Sequence, residues 1–119
     1  MRISELSAKT QVSVHRLRRY EALGLIESQR LPNGYREYDD KVVRQVIFIA
    51  MSRQMGFSLA QVAEYLPRFK TGKLTPEEMI QAIRQRVAEV DEVIAAQTAL
   101  RKMLLDHIEW FQSPKRKIP

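Results

Sequence analysis

The sequence contains no cysteine. Disulfides, thiolate metal sites, iron–sulfur clusters and thiol redox switches are excluded together. Glycine is scarce, at four in 119 residues, and no glycine-rich loop is present that could cradle a phosphate. The two histidines, His15 and His107, stand far apart and lack the spacing of metal ligands. Nothing reads as a nucleophile paired with a base, so neither catalysis nor a cofactor is expected. No apolar run is long enough to span a membrane. Residues 1–20 alternate polar and apolar side chains without the continuous apolar core of a secretory leader. These absences fit a cytoplasmic protein of one small domain, or one domain with a helical extension.

What the chain does have is positive charge, unevenly placed. The formal net charge is +6. Residues 1–75 carry 13 Lys/Arg against 7 Asp/Glu, whereas residues 76–119 carry 7 of each. The whole excess therefore belongs to the N-terminal part, as a nucleic-acid footprint confined to one lobe would require. It is densest in Ser13–Glu21, Ser-Val-His-Arg-Leu-Arg-Arg-Tyr-Glu. Ser13 can cap a helix there. Helical spacing puts Val14, Leu17 and Glu21 on a docking side and Arg16, Arg19 and Tyr20 on an exposed ridge, flanked by His15 and Arg18. Such a ridge can bind phosphates and reach base edges in a major groove; a merely solvated face is the alternative.

The surroundings support the first reading. Residues 3–10 predict a first helix, with Ser4 as its cap and Leu6 with Ala8 on its inner face. A short turn, Gln11-Val12-Ser13, leads into the arginine helix, which makes the pair a helix-turn-helix candidate. Gly24 ends the second helix. Pro32-Asn33-Gly34 then separates two short runs and predicts a hairpin in which both Asn33 and Gly34 tolerate positive φ. Its descending arm places Tyr35 and Glu37 on one face, Arg36 and Tyr38 on the other. Asp39 or Asp40 caps a third helix, about 40–54, with Val43, Val46, Ile47 and Ala50 inward. Gly56 stops it, Ser58 caps a fourth helix, and Val62, Leu66 and Phe69 continue the core, with Pro67 disturbing that helix near its end. Lys70–Leu74 is a basic loop.

Thr75-Pro76-Glu77-Glu78 is a strong helix start: a cap, a proline at the first position and two acids on the positive end of the dipole. From there to Gln112 no proline or glycine intervenes, which predicts a helix about 55 Å long at 1.5 Å per residue. Its heptad seam runs through Ile80, Ile83, Val87, Val90, Ile94, Gln97, Arg101, Leu104, Ile108 and Phe111. A seam so largely apolar argues for a coiled coil with another chain. The polar break at Gln97 and Arg101 either sets register or marks a drift of the seam to Ala96, Leu100 and Met103.

Residues 3–69 resemble the DNA-binding domain of MerR-family transcriptional regulators. The resemblance lies in Ile3-Ser4-Glu5-Leu6, Val12-Ser13-Val14, Leu17-Arg18, Tyr20-Glu21, Gly24-Leu25-Ile26, Asn33-Gly34-Tyr35-Arg36 with Tyr38, and Met55-Gly56-Phe57-Ser58-Leu59. It implies a mainly α fold: a winged helix-turn-helix over residues 1–70, a coiled-coil dimerisation helix over 75–112, and a basic tail over 113–119. It also implies a homodimer on a near-palindromic operator in double-stranded promoter DNA, which it bends and untwists for RNA polymerase. Arg16 and Arg19 depart from the family, which usually has a small residue and an aromatic there. Larger relatives carry an effector domain after the coiled coil, and metal-sensing ones carry cysteines there. Here the effector stays unnamed, and a small aromatic pocket near Tyr65 and Trp110 stays an alternative to plain packing.

The DNA-contacting set is then Ser13, His15, Arg16, Arg18, Arg19, Tyr20, Tyr35 and Arg36. His15, Arg16 and Arg19 are the expected base readers, and Tyr20, Tyr35 and Arg36 the phosphate holders; Arg18 falls in either group. The dimerisation set is Ile80, Ile83, Val87, Val90, Ile94, Leu104, Ile108 and Phe111. A second function class stays open, an architectural protein of recombination or phage biology that bends DNA without switching a promoter.

Overall fold

A computed structural model describes residues 1–114; the basic tail expected from 113 onward lies mostly outside them. The elements in chain order are α1 (Ile3–Thr10), α2 (Val14–Ala22), β1 (Gln29–Arg30), β2 (Arg36–Glu37), α3 (Lys41–Gln54), α4 (Leu59–Lys70) and α5 (Pro76–Gln112). They form two compact units, Met1–Ile80 and the remainder from Gln81.

In the first unit α1 packs against α2 and α3, and α3 against α4. Leu6, Leu17, Ile26, Val46, Ile49 and Val62 are all but fully enclosed, each contributing about 1.5–3 kcal/mol by burial. Phe48 of α3 stacks on Phe69 of α4 with ring centroids 4.3 Å apart. Gln11 turns the chain between α1 and α2 in the left-handed conformation, φ 59°. Ser13 caps α2, its hydroxyl oxygen accepting from the Arg16 N–H at 3.1 Å. Gly24, φ 76°, closes the far end. Its N–H donates to the Glu21 carbonyl and that of Leu25 to the Tyr20 carbonyl, both at 2.9 Å, the bond pair that glycine just past a helix allows. The same pattern recurs where Gly56 and Phe57 end α3. Ser58 and Gln61 then form a reciprocal capping box at the start of α4.

Five local expectations need correction. Ser4 lies inside α1; the capping position is Arg2, whose side chain makes no cap bond. Ala8 is exposed, and Leu6 alone of that pair is buried. The buried arc of α3 is Val42, Val46, Phe48, Ile49 and Ser52, while Val43 and Ala50 are half-buried and Ile47 is exposed. Packing against two helices, α1 and α4, sets that arc. Asn33 does not take positive φ: only Gly34 does in this turn, at 86°. Its N–H bonds the Leu31 carbonyl, and the Leu31 N–H bonds Tyr35 across the loop, so the hairpin has a three-residue loop closed by a left-handed glycine. Tyr20, expected on the exposed ridge, is buried at 3 % exposure. Asp39 rather than Asp40 serves the start of α3, accepting from the Lys41 N–H at 2.9 Å. Pro67 lies inside α4 near its end, as expected, three residues before the helix finishes.

In α5, Thr75 accepts from the Glu78 N–H at 3.2 Å, as its sequence predicts. The helix runs unbroken for 37 residues with none of its side chains buried. Of the seam residues, Ile80, Val87, Val90, Ile94, Leu104, Ile108 and Phe111 are exposed in the single chain and Ile83 is half-buried. Among the described residues, no helix is long and apolar enough to cross a membrane.

Candidate nucleic-acid interface

The arginine helix α2 and the wing β1–β2 build one surface. On α2 the side chains of His15, Arg16, Arg18 and Arg19 are exposed. Arg18 and Arg19 have no acidic partner among the described residues. Tyr20 does not join them. It is three residues past Leu17, so its ring falls on the same packed face, and only its hydroxyl reaches out to accept from Arg16 Nη2 at 2.8 Å. The burial removes Tyr20 from the exposed ridge and gives it another task, steadying Arg16. Ser13 spends its hydroxyl on the cap of α2.

The wing pairs Gln29 with Glu37 and Arg30 with Arg36, antiparallel. Its position is set by Glu21. The Glu21 carboxylate, 17 % exposed, meets Arg36 Nη1 at 2.9 Å. It accepts from the Ser28 hydroxyl at 3.2 Å and from the Tyr38 hydroxyl. Three donors from the hairpin and its flanks thus converge on one carboxylate of the recognition helix. Burial, then the bond to Glu21 and its charge, push the Tyr38 hydroxyl up to about 12 from an ordinary 10.0. The Tyr38 N–H also donates to the Met1 carbonyl at 2.7 Å, which ties the start of the chain to the wing. Behind the surface, Lys70 Nζ donates to the Leu25 carbonyl at 2.7 Å.

Arg36 and Tyr38 share one face of the arm, as the alternation predicts, and both use it to reach Glu21. Tyr35 is exposed, with the Arg2 guanidinium 4.1 Å from the centre of its ring. Sequence reasoning missed the roles of Glu21, Ser28 and Arg2. An acid on the docking side of a helix otherwise rich in arginine was the available signal for Glu21. Nothing in the spacing of Arg2 pointed to Tyr35. His107 Nδ1 lies 2.8 Å from the Met103 carbonyl within its own helix. Among the described residues no group of three or more metal-ligating side chains is assembled.

A basic recognition helix, capped by Ser13 and bound to a hairpin wing, is the geometry of a winged helix-turn-helix. Residues 1–68 match the family model of the MerR HTH family regulatory protein, and residues 43–107 match that of MerR, DNA binding. The chain belongs to the MerR family. It is a winged helix-turn-helix, DNA-binding transcriptional regulator with a long C-terminal helix. It is similar to the transcriptional regulator HmrR of Rhizobium leguminosarum bv. viciae, 30% identical over 104 residues that cover 87% of this chain and 81% of the relative. A probable heavy metal-dependent transcriptional regulator of Haemophilus influenzae is 32% identical over 114 residues, 95% of this chain and 87% of that one. The fold matches the lead(II) complex of PbrR691 from Ralstonia metallidurans with a TM-score of 0.65 at 24% identity, over 99% of this chain and 90% of that one. The Haemophilus influenzae relative is named for heavy metals and PbrR691 was solved with lead(II); the present sequence contains no cysteine.

Proposed function

We propose that this MerR-family regulator acts as a homodimer on a near-palindromic operator within a promoter, and controls transcription by bending and untwisting the DNA so that RNA polymerase can use it. The observation that carries the reading is the basic face of α2, held against the wing through Glu21. In a major groove, His15, Arg16 and Arg19 would reach base edges, with arginine to guanine the commonest pairing. Tyr35 and Arg36 would meet the backbone and fix the register, and Arg18 would join either group. The apolar side chains of α5 that stand exposed in one chain supply the dimer contact: Val87, Val90, Ile94, Leu104, Ile108 and Phe111. A second copy is the partner whose seam has the same spacing. The protein works in the cytoplasm, where promoters are, and performs no catalysis of its own. Its signal is not a metal held by thiolates.

The test is a footprint together with a substitution series. A protected site between two promoter elements supports regulation by DNA distortion, and a site at a recombination junction supports the architectural alternative. Arg16→Ala or Arg19→Ala should cost about 1–3 kcal/mol and relax preference at one operator position. Arg36→Ala should weaken all sequences alike and lower the salt slope by about one. The assignment of readers and holders fails if Arg36→Ala changes base preference while the other two leave it intact.

A further inference from the structure

Between the start of α1, the recognition helix and the wing lies an open groove of about 480 Å³ whose lining includes Arg2, Ser4, Arg18, Tyr35 and Arg36. Three arginines thus line one space, and no acidic residue lines it. Arg36 is engaged by Glu21, whereas Arg2 and Arg18 have no acidic partner among the described residues. The Arg2 guanidinium instead lies over the Tyr35 ring, 4.1 Å from its centre. A planar cation stacked on an aromatic face keeps its N–H edges free for other acceptors. It is also held in place before any ligand arrives, which reduces the ordering cost of binding.

We infer that this groove seats one phosphodiester of the DNA backbone, that Arg2 is one of its holders, and that Tyr35 acts by stacking on Arg2 rather than by bonding the phosphate through its own hydroxyl. The inference rests on the DNA-binding reading above and deepens it. It changes the part given to Tyr35 and adds a residue ahead of α1 to the interface. The contact is with backbone, so it is independent of sequence, and a labelled duplex of mixed sequence at low salt is a sufficient probe.

The chain and its variants are titrated with that duplex by fluorescence anisotropy over a range of salt. Both side chains are exposed, so the substitutions leave the core intact. Arg2→Ala should weaken binding several-fold and lower the salt slope by about 0.9, the release of one phosphate's counterions. Tyr35→Phe keeps the ring and should bind like the wild type. Tyr35→Leu loses the stack and should weaken binding, but added to Arg2→Ala it should cost little more, because the two side chains act as one unit. Inorganic phosphate at matched ionic strength should not compete, since it brings none of the duplex's other contacts. The inference is overturned if Arg2→Ala leaves the slope unchanged, if Tyr35→Phe loses as much as Tyr35→Leu, or if the Arg2 and Tyr35 effects add in full. Displacement of the duplex by inorganic phosphate would overturn the choice of a DNA phosphate as the ligand. A wild-type chain that fails to bind the duplex at low salt would instead sink the DNA-binding reading on which the inference stands.

Discussion

Replacing Glu21 tests whether the wing is held by the recognition helix or merely lies near it. The carboxylate serves three donors: Arg36, Ser28 and Tyr38. Their losses are unequal. Arg36 is 47 % exposed, so it returns to water and its ion pair is worth at most about 1 kcal/mol. The Ser28 bond, at 3.2 Å, is worth about as much. The Tyr38 hydroxyl belongs to a side chain only 1 % exposed, and stranding it costs about 1–3 kcal/mol. Glu21→Ala should therefore destabilise the fold by about 2–4 kcal/mol, a large part of the 5–15 kcal/mol that a small domain has. Glu21→Gln retains an acceptor for Tyr38 and should cost about 1 kcal/mol. Urea denaturation followed by circular dichroism measures both. Duplex affinity measured under folding conditions should fall as well, because the wing loses its anchor. An unchanged urea midpoint for Glu21→Ala would refute the reasoning. So would tighter DNA binding, which would mean that Glu21 only competes with DNA for Arg36.

Two further predictions concern pH and assembly. The Tyr38 hydroxyl ionises at about 12 in the folded chain against an ordinary 10.0. Its raised value contributes stability that is complete below pH 10.0 and is lost as pH rises towards about 12. Alkaline denaturation should accordingly be less steep in Tyr38→Phe over that window, and equal slopes in the two proteins would contradict it. Val90→Asp with Ile94→Asp puts charges on the exposed seam of α5 and should cost several kcal/mol of dimer stability by burying them opposite apolar partners. Sedimentation should show a dimer for the wild type and a monomer for the variant; a wild-type monomer at micromolar concentration removes the dimer from the proposal.

The parts of the fold that could be read from residues alone are those decided within one helical turn. Ser13, Ser58 and Thr75 accept from N–H groups three residues on. Gly24 and Gly56 take positive φ where two helices must end. Each outcome depends on a few consecutive residues and survives whatever packs nearby. Burial is decided elsewhere. The inward arc of α3 is set by α1 and α4 together, so a stripe chosen from its own periodicity falls partly off target. Asn33-Gly34 signals a hairpin correctly, yet the extra loop residue leaves only the glycine with positive φ. The carboxylate of Glu21 and the hydroxyl of Tyr38 are 17 residues apart, and no local pattern joins them. The apolar spacing along α5 is legible in its residues, and most of those side chains are exposed in the single chain; whether a second copy covers them is decided by the sedimentation test.

The same division explains how the interface can be both basic and ordered. A ridge of arginines alone would be mobile, and fixing one such side chain costs about 2 kcal/mol of rotamer freedom. In this chain two polar groups at the edge of the core reduce that cost. The Tyr20 hydroxyl holds Arg16 at one point of α2, and the Glu21 carboxylate, on the next residue, holds Arg36 of the wing. Adjacent residues of one helix thus position one arginine on each structural arm. Their side chains lead inward, to a core that Leu17 and Tyr38 help to close. A substitution in that core would therefore reach the DNA surface by displacing Tyr20 or Glu21, without any change of surface charge. Loss of stability and loss of DNA affinity should appear together for core variants, whereas Arg19, which has no acidic partner among the described residues, should lose affinity alone.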